Sequence, residues 1–171
     1  MTPDPDWEAE LAILWEAFDD VDEATFGARL EALVARLPAD SAIAPFERAC
    51  AQDSTGHSDR AVPLYRAALA RGLTGIRRRR AVIQLASSLR NVGEVEESIA
   101  LLEAERARAS DALDDAVVAV LALAYASAGR AQDGLSITLL ALSRHLPRYQ
   151  RSMAAYARAL VAASPPSRPS P

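Results

Sequence analysis

The sequence predicts an all-α protein: a right-handed solenoid of three helical hairpins, with an N-terminal helical pair before them and a C-terminal capping helix after them. Two observations carry this. First, a hairpin recurs about every 36 residues, reading HSDRAVPLYRAAL after Gly56, EVEESIALLEAE after Gly93 and RAQDGLSITLLAL after Gly129. Self-similarity at a period of about 20–50 residues marks stacked repeats, each too small to bury its own apolar face. Second, alanine is abundant and glycine scarce, with 7 copies, a mix that favours helix. No segment alternates apolar and polar residues for long enough to build a sheet.

The elements follow in order. Residues 1–5 are expected to be disordered, ahead of one domain over residues 6–163. A first helix runs from about Asp6 to Phe18, with Trp7, Leu11, Leu14, Trp15 and Phe18 spaced three and four apart on one face. Asp20 or Asp22 is placed to cap a second helix, which buries Phe26, Leu30, Leu33, Val34 and Leu37 and stops at Pro38. Three hairpins span about 41–72, 74–108 and 111–146. Gly72 is a natural left-handed terminator, and Pro63 falls near the first turn of its helix, where it removes only an early hydrogen bond. AVVAVLALAYA in the third hairpin is apolar all round, as a helix buried on several sides would be. A capping helix over 149–163 turns Met153, Tyr156, Ala157 and Leu160 inward, with Arg151 and Arg158 outward. The tail from 164 to 171 is rich in Pro and Ser and reads as disordered.

Composition narrows the function. At 171 residues the chain is long enough for a substantial core. No stretch of about 18 apolar residues lacks charge, so a membrane span is not expected. The start, MTPDPDWEAEL, is acidic where a signal peptide would be basic, so the expected compartment is the cytoplasm. Cys50 is the only cysteine and reads as a buried thiol. All 19 cations are arginine, as in proteins of high-GC bacterial genomes, and the net charge of −4 with few aromatics argues against nucleic acid. His57 and His145 have no metal-ligand spacing to a cysteine or carboxylate, and Ser87 and Ser88 have no local base. No phosphate loop or paired-carboxylate motif is present, so neither cofactor nor enzymatic activity is expected.

The recurring residues resemble those of the tetratricopeptide repeat family. Ala49, Gly56, Ala61, Tyr65 and Ala68 mark the first copy. Ala86, Gly93, Ser98 and Leu102 mark the second, with Glu105 where alanine is usual. Leu121, Ala122, Tyr125, Gly129, Gly134, Ala141 and Pro147 mark the third, with Thr138 in the aromatic place. The resemblance covers about residues 42–147, and the stretch from Asp59 to Gly93 is similar to a group of short bacterial tetratricopeptide proteins. It implies a solenoid whose first helices line a concave face, and a non-catalytic protein- or peptide-binding module. It implies no ligand.

On that pattern the concave face presents Phe46, Cys50, Asp53, Arg80, Ile83, Ser87, Arg90 and Asn91, with Ser54 beside them and Ala119, Leu123 and Ala126 at an apolar far end. Arg80, Arg90 and Asn91 are the expected holders of an acidic group on a peptide, with Phe46 and Ile83 as apolar anchors. The opposing reading makes Arg90 a helix-end or ion-pair residue. The Arg77–Arg80 run points all around its helix and reads as a solvated helix start. The lysine-based clamp of chaperone-binding members is absent, since Phe46, Cys50, Gln84, Ala116 and Val120 stand in its places. Self-association as a homodimer through Trp7 and Trp15 is the alternative function, tryptophan being favoured at interface hot spots. A small-metabolite binder is the remote one.

Overall fold

Asp4 starts the first helix: its carboxylate accepts from the Asp6 amide at 2.9 Å, and Pro5 takes the first helical position, where its missing N–H is not needed. The helix therefore begins one residue earlier than the apolar pattern indicates. The computed structural model describes residues 3–108 and 110–162. Among these the chain forms nine α-helices, one 3-10 turn and no strand. Residues 1 and 2 and the Pro/Ser-rich tail lie outside the described residues. The chain divides into two units between Val92 and Gly93.

The first unit holds α1 (Pro5–Glu16), a 3-10 turn (Phe18–Asp20), α2 (Glu23–Val34), α3 (Ile43–Ser54), α4 (Ser58–Ala70) and α5 (Gly75–Asn91). Asp22 caps α2 by accepting from the Thr25 amide at 2.9 Å. Trp7, Leu11, Leu14, Phe26, Leu30, Leu33 and Val34 form one apolar core with Ala44 and Ala51 of α3. Trp15, Phe18 and Phe26 meet with ring centroids 4.9–5.7 Å apart, the spacing of offset and edge-on aromatic pairs. Gly56 shows why glycine recurs between hairpins. At φ +83 it ends α3 by donating to the Asp53 carbonyl, while the His57 amide donates to the Gln52 carbonyl. Gly72 and Leu73 repeat that closure after α4, with Leu73 buried beneath the turn. Pro63 sits inside α4 on its exposed side, and the helix continues past it.

The second unit holds α6 (Val95–Arg108), α7 (Asp114–Ser127), α8 (Ala131–Ser143) and α9 (Gln150–Ala162), each packed on the next. Leu102, Val117, Leu121 and Ala124 are fully enclosed. Helices α7 and α8 approach closely at Gly134. A Cβ built there would lie 2.7 Å from the Ala122 carbonyl oxygen, so only glycine fits. Ala122 and Gly134, two residues that mark the third copy of the repeat, meet at this crossing. Ala122 is only partly buried, and α8 meets its carbonyl. The expected inward face of α9 is also revised. Ala157 is buried and Ser136 of α8 donates to its carbonyl at 2.7 Å, but Tyr156 is 67% exposed.

Candidate functional site

Helices α3 and α5 are the first helices of two successive hairpins, and side chains join them rung by rung. Glu47 meets Arg77, Phe46 lies under Arg80, Cys50 donates to Gln84, Asp53 accepts from Ser88, and Ser58, just beyond α3, accepts from Asn91. From Glu47–Arg77 through Cys50–Gln84 to Asp53–Ser88 the partner numbers rise together, so α3 and α5 run parallel, with these partners 30–35 residues apart. The repeat is thus written into the polar contacts as well as the glycines.

The upper rungs open into a cleft of about 460 Å³ between α1, α3 and α5. Glu47 forms its floor and is 2% exposed. One carboxylate oxygen accepts from Arg77 Nε at 3.2 Å, the other from Trp15 Nε1 at 3.2 Å. Burial pushes the Glu47 carboxyl above the usual carboxylate range, against the pull of Arg77 and the Trp15 hydrogen bond. The fork of Arg77 is used a second time: both Nη atoms grip the Glu8 carboxylate of α1, Nη1 at 2.9 Å. That bidentate grip, with Glu47 behind it, holds the Arg77 guanidinium strongly in its charged form. Arg77 therefore ties α1, α3 and α5 together, with Nε, Nη1 and Nη2 each donating to a carboxylate of the fold.

Arg80 differs. It is exposed, its guanidinium lies 5.4 Å from the centroid of the Phe46 ring, and it makes no ion pair among the described residues. The stacking fixes its place without using its fork. Trp15 and Glu16 flank the cleft on the α1 side.

The lower rungs are closed. Asp53 accepts from Ser88 Oγ at 2.8 Å and lies 3.5 Å from Ser58 Oγ. Asn91 donates to Ser58 at 3.1 Å and accepts from Arg90 Nη2 at 2.8 Å. Cys50 donates to Gln84 Oε1 at 3.5 Å, and burial pushes its thiol up to about 12, so it is inert packing.

Several residues predicted to line the groove are therefore placed elsewhere. Phe46, Cys50 and Ile83 are buried and support the groove from beneath, so Phe46 and Ile83 are not open anchors. Ser87 is partly buried and Asn91 exposed. Arg80 and Arg90 are ten residues apart on one helix, about 15 Å along its axis, so they cannot share one carboxylate. Arg90 pairs with an amide and not with an acid, so it is not locked in an ion pair among the described residues. The arginine run is no solvated helix start: Arg77 is engaged, Arg79 is 3% exposed, and Arg80 is the free end. Trp7 is 2% exposed and donates to the Leu33 carbonyl at 2.8 Å, and Trp15 is spent on Glu47 and the aromatic cluster. Neither tryptophan is an open edge. The link from Arg77 to Glu8 and Glu47 was not legible in the sequence, because Glu8 and Arg77 lie 69 residues apart.

His145 stands 2.9 Å from Asp115 and His57 3.2 Å from Glu23. No group of three metal-ligating side chains occurs among the described residues, and no described helix is long and apolar enough to cross a membrane.

A family model for the tetratrico peptide repeat matches residues 42–160. The chain belongs to the tetratricopeptide repeat family. The match takes in α9, which the sequence reading set apart as a cap, so α9 falls inside the repeat region of this tetratricopeptide protein. Repeats of this family are protein-interaction scaffolds and generally not catalysts. No curated protein and no solved structure matches the chain.

Proposed function

We propose that the cleft between α1, α3 and α5 binds a protein segment, with Arg80 taking an acidic group and Trp15 lining the place of its apolar neighbour. One observation carries this reading: Arg80 is stacked on Phe46, exposed and free of ion pairs beside a formed cleft, while its neighbour Arg77 is held by the Glu8 and Glu47 carboxylates. A guanidinium held in place with its fork unused is preorganised for a carboxylate. Arg77, Glu8 and Glu47 fix the walls and do not contact the ligand. The lower rungs, including Asp53, Arg90 and Asn91, keep α3 and α5 in register.

The test is selection of peptides from a random display library on the wild type and on Arg80→Glu. The wild type is expected to enrich an Asp or Glu beside an apolar residue, and Arg80→Glu to lose that enrichment. The same acidic consensus from both proteins would reject Arg80 as the anchor. Self-association through the tryptophans is not favoured, because both are used inside the first unit.

A further inference from the structure

Five charged side chains line the cleft between α1, α3 and α5, and three of them are paired with one another. Arg77 donates to Glu47 through Nε and to Glu8 through both Nη atoms, so these three are held within the fold. The other two are Arg80 on α5 and Glu16 on α1. Both are exposed, and neither makes an ion pair among the described residues. They are opposite in sign and stand on opposite walls, with Glu47 of α3 at the floor between them.

Glu16 has no evident task in stabilising α1. It is the last residue of that helix, where the end carries partial negative charge and a base is favoured. No base stands in that turn, and Glu16 makes no hydrogen bond among the described residues. Its place is nonetheless fixed. The neighbouring Trp15 is anchored by its hydrogen bond to Glu47 and by the rings of Phe18 and Phe26, and it holds the end of α1 at the cleft.

Given Arg80 as the anchor of this cleft, the reading on which this rests, we infer that Glu16 is a second reading residue and that the bound segment carries a base as well as an acid. The acid goes to Arg80 and the base to Glu16. The spacing of the two charges follows. To reach opposite walls they must leave the segment on opposite sides. Consecutive side chains do so in an extended segment, and residues two apart do so in a helix, at about 200° around its axis. The base therefore lies one or two positions from the acid. A spacing of three or four would put both charges on one side of a helix. A purely acidic segment is disfavoured, because its second charge would stand unpaired beside the Glu16 carboxylate.

Peptide display on the wild type, Glu16→Arg and Arg80→Glu tests this, followed by calorimetric titration of one selected peptide and of its copy with glutamate in place of the base. The wild type is expected to enrich an acid with a Lys or Arg one or two positions away. Glu16→Arg is expected to keep the acid and lose the base. Exchange of the base for glutamate is expected to weaken binding to the wild type about fivefold, the scale of an exposed ion pair, and to strengthen binding to Glu16→Arg. The melting temperature of Glu16→Arg is expected to equal or exceed that of the wild type, since arginine suits the end of a helix.

A wild-type consensus without a base, a base set three or four positions away, or a base that Glu16→Arg still selects would overturn the inference and leave Arg80 in place as the anchor. A lowered melting temperature with an unchanged consensus would also overturn it, by making Glu16 a residue of the fold alone. The same acidic consensus from Arg80→Glu as from the wild type would overturn the reading of the cleft, and this inference with it.

Discussion

Helices α5 and α7 are both first helices of a repeat, yet they hold their neighbours by different means. Helix α5 is polar on the side facing α3 and carries Arg77, Arg80, Gln84, Ser88 and Asn91, each matched to a partner in or next to α3. Helix α7 is almost wholly apolar and is located by shape: its backbone at Ala122 admits only Gly134. The Tyr125 hydroxyl donates to Glu103 of α6 at 2.6 Å, and Asp115 in the first turn of α7 accepts from Arg144 just beyond α8 at 2.6 Å. Hydrogen-bonded rungs specify register and leave charged side chains at the surface. Close backbone packing also specifies register but leaves only methyl groups, as Ala119, Leu123 and Ala126 show on α7. A single repeat family thus yields a face that can read charge and another that cannot.

The largest expected effect breaks the polar side of this comparison. Arg77→Met strands the Glu47 carboxylate, which is 2% exposed, and should cost about 3–5 kcal/mol in chemical denaturation. Adding Glu47→Gln should recover most of that loss, because the cost lies in the unpaired charge and not in the missing contact. pH gives an independent check. Burial raises Glu47, so the folded state holds this proton more tightly than the unfolded chain does. Its contribution to stability is greatest below the ordinary carboxylate range and falls as pH rises through the raised value. The Arg77→Met deficit should therefore be larger near pH 8 than near pH 5, and Glu47→Gln should abolish the difference.

The shape-driven side breaks at Gly134. Alanine favours helix over glycine by about 1 kcal/mol, so an open site would be stabilised. At 2.7 Å from a backbone oxygen the added methyl must move a helix, and Gly134→Ala should instead destabilise by about 1–3 kcal/mol. A raised melting temperature would show that the α7–α8 crossing is looser than described.

Which parts of this were legible in the sequence follows from the range of the forces. Helices and their ends were readable because period, caps and left-handed glycines are local: Asp22 caps α2, and Gly56, Gly72, Gly93 and Gly129 all have positive φ. The family pattern marked Ala122 and Gly134, the two residues that meet where α7 and α8 cross. The binding face was only half readable. Periodicity assigned Arg80 to the groove but could not tell it from Arg77, since their difference lies in Glu8, 69 residues from Arg77. Likewise the spacing of Trp7 and Trp15 shows that they share a face, and not that Leu33 and Glu47 take up their indole N–H groups.

The smallest expected effect on stability sharpens the functional side. Arg80→Ala removes an exposed cation–π contact and should shift unfolding by no more than about 1 kcal/mol. The same substitution should weaken an acidic peptide about tenfold, the loss expected when one charge-assisted hydrogen bond worth about 1.5–3 kcal/mol disappears. Stability and binding should thus separate at Arg80 and coincide at Arg77.

The most direct measurement is a calorimetric charge swap. A display-selected acidic peptide and its counterpart with lysine at the acidic position are each titrated into the wild type and into Arg80→Glu. The preference is expected to reverse: the wild type takes the acidic peptide and Arg80→Glu takes the lysine peptide. Equal affinity of both proteins for the acidic peptide would contradict the claim that Arg80 is the reading residue of this cleft.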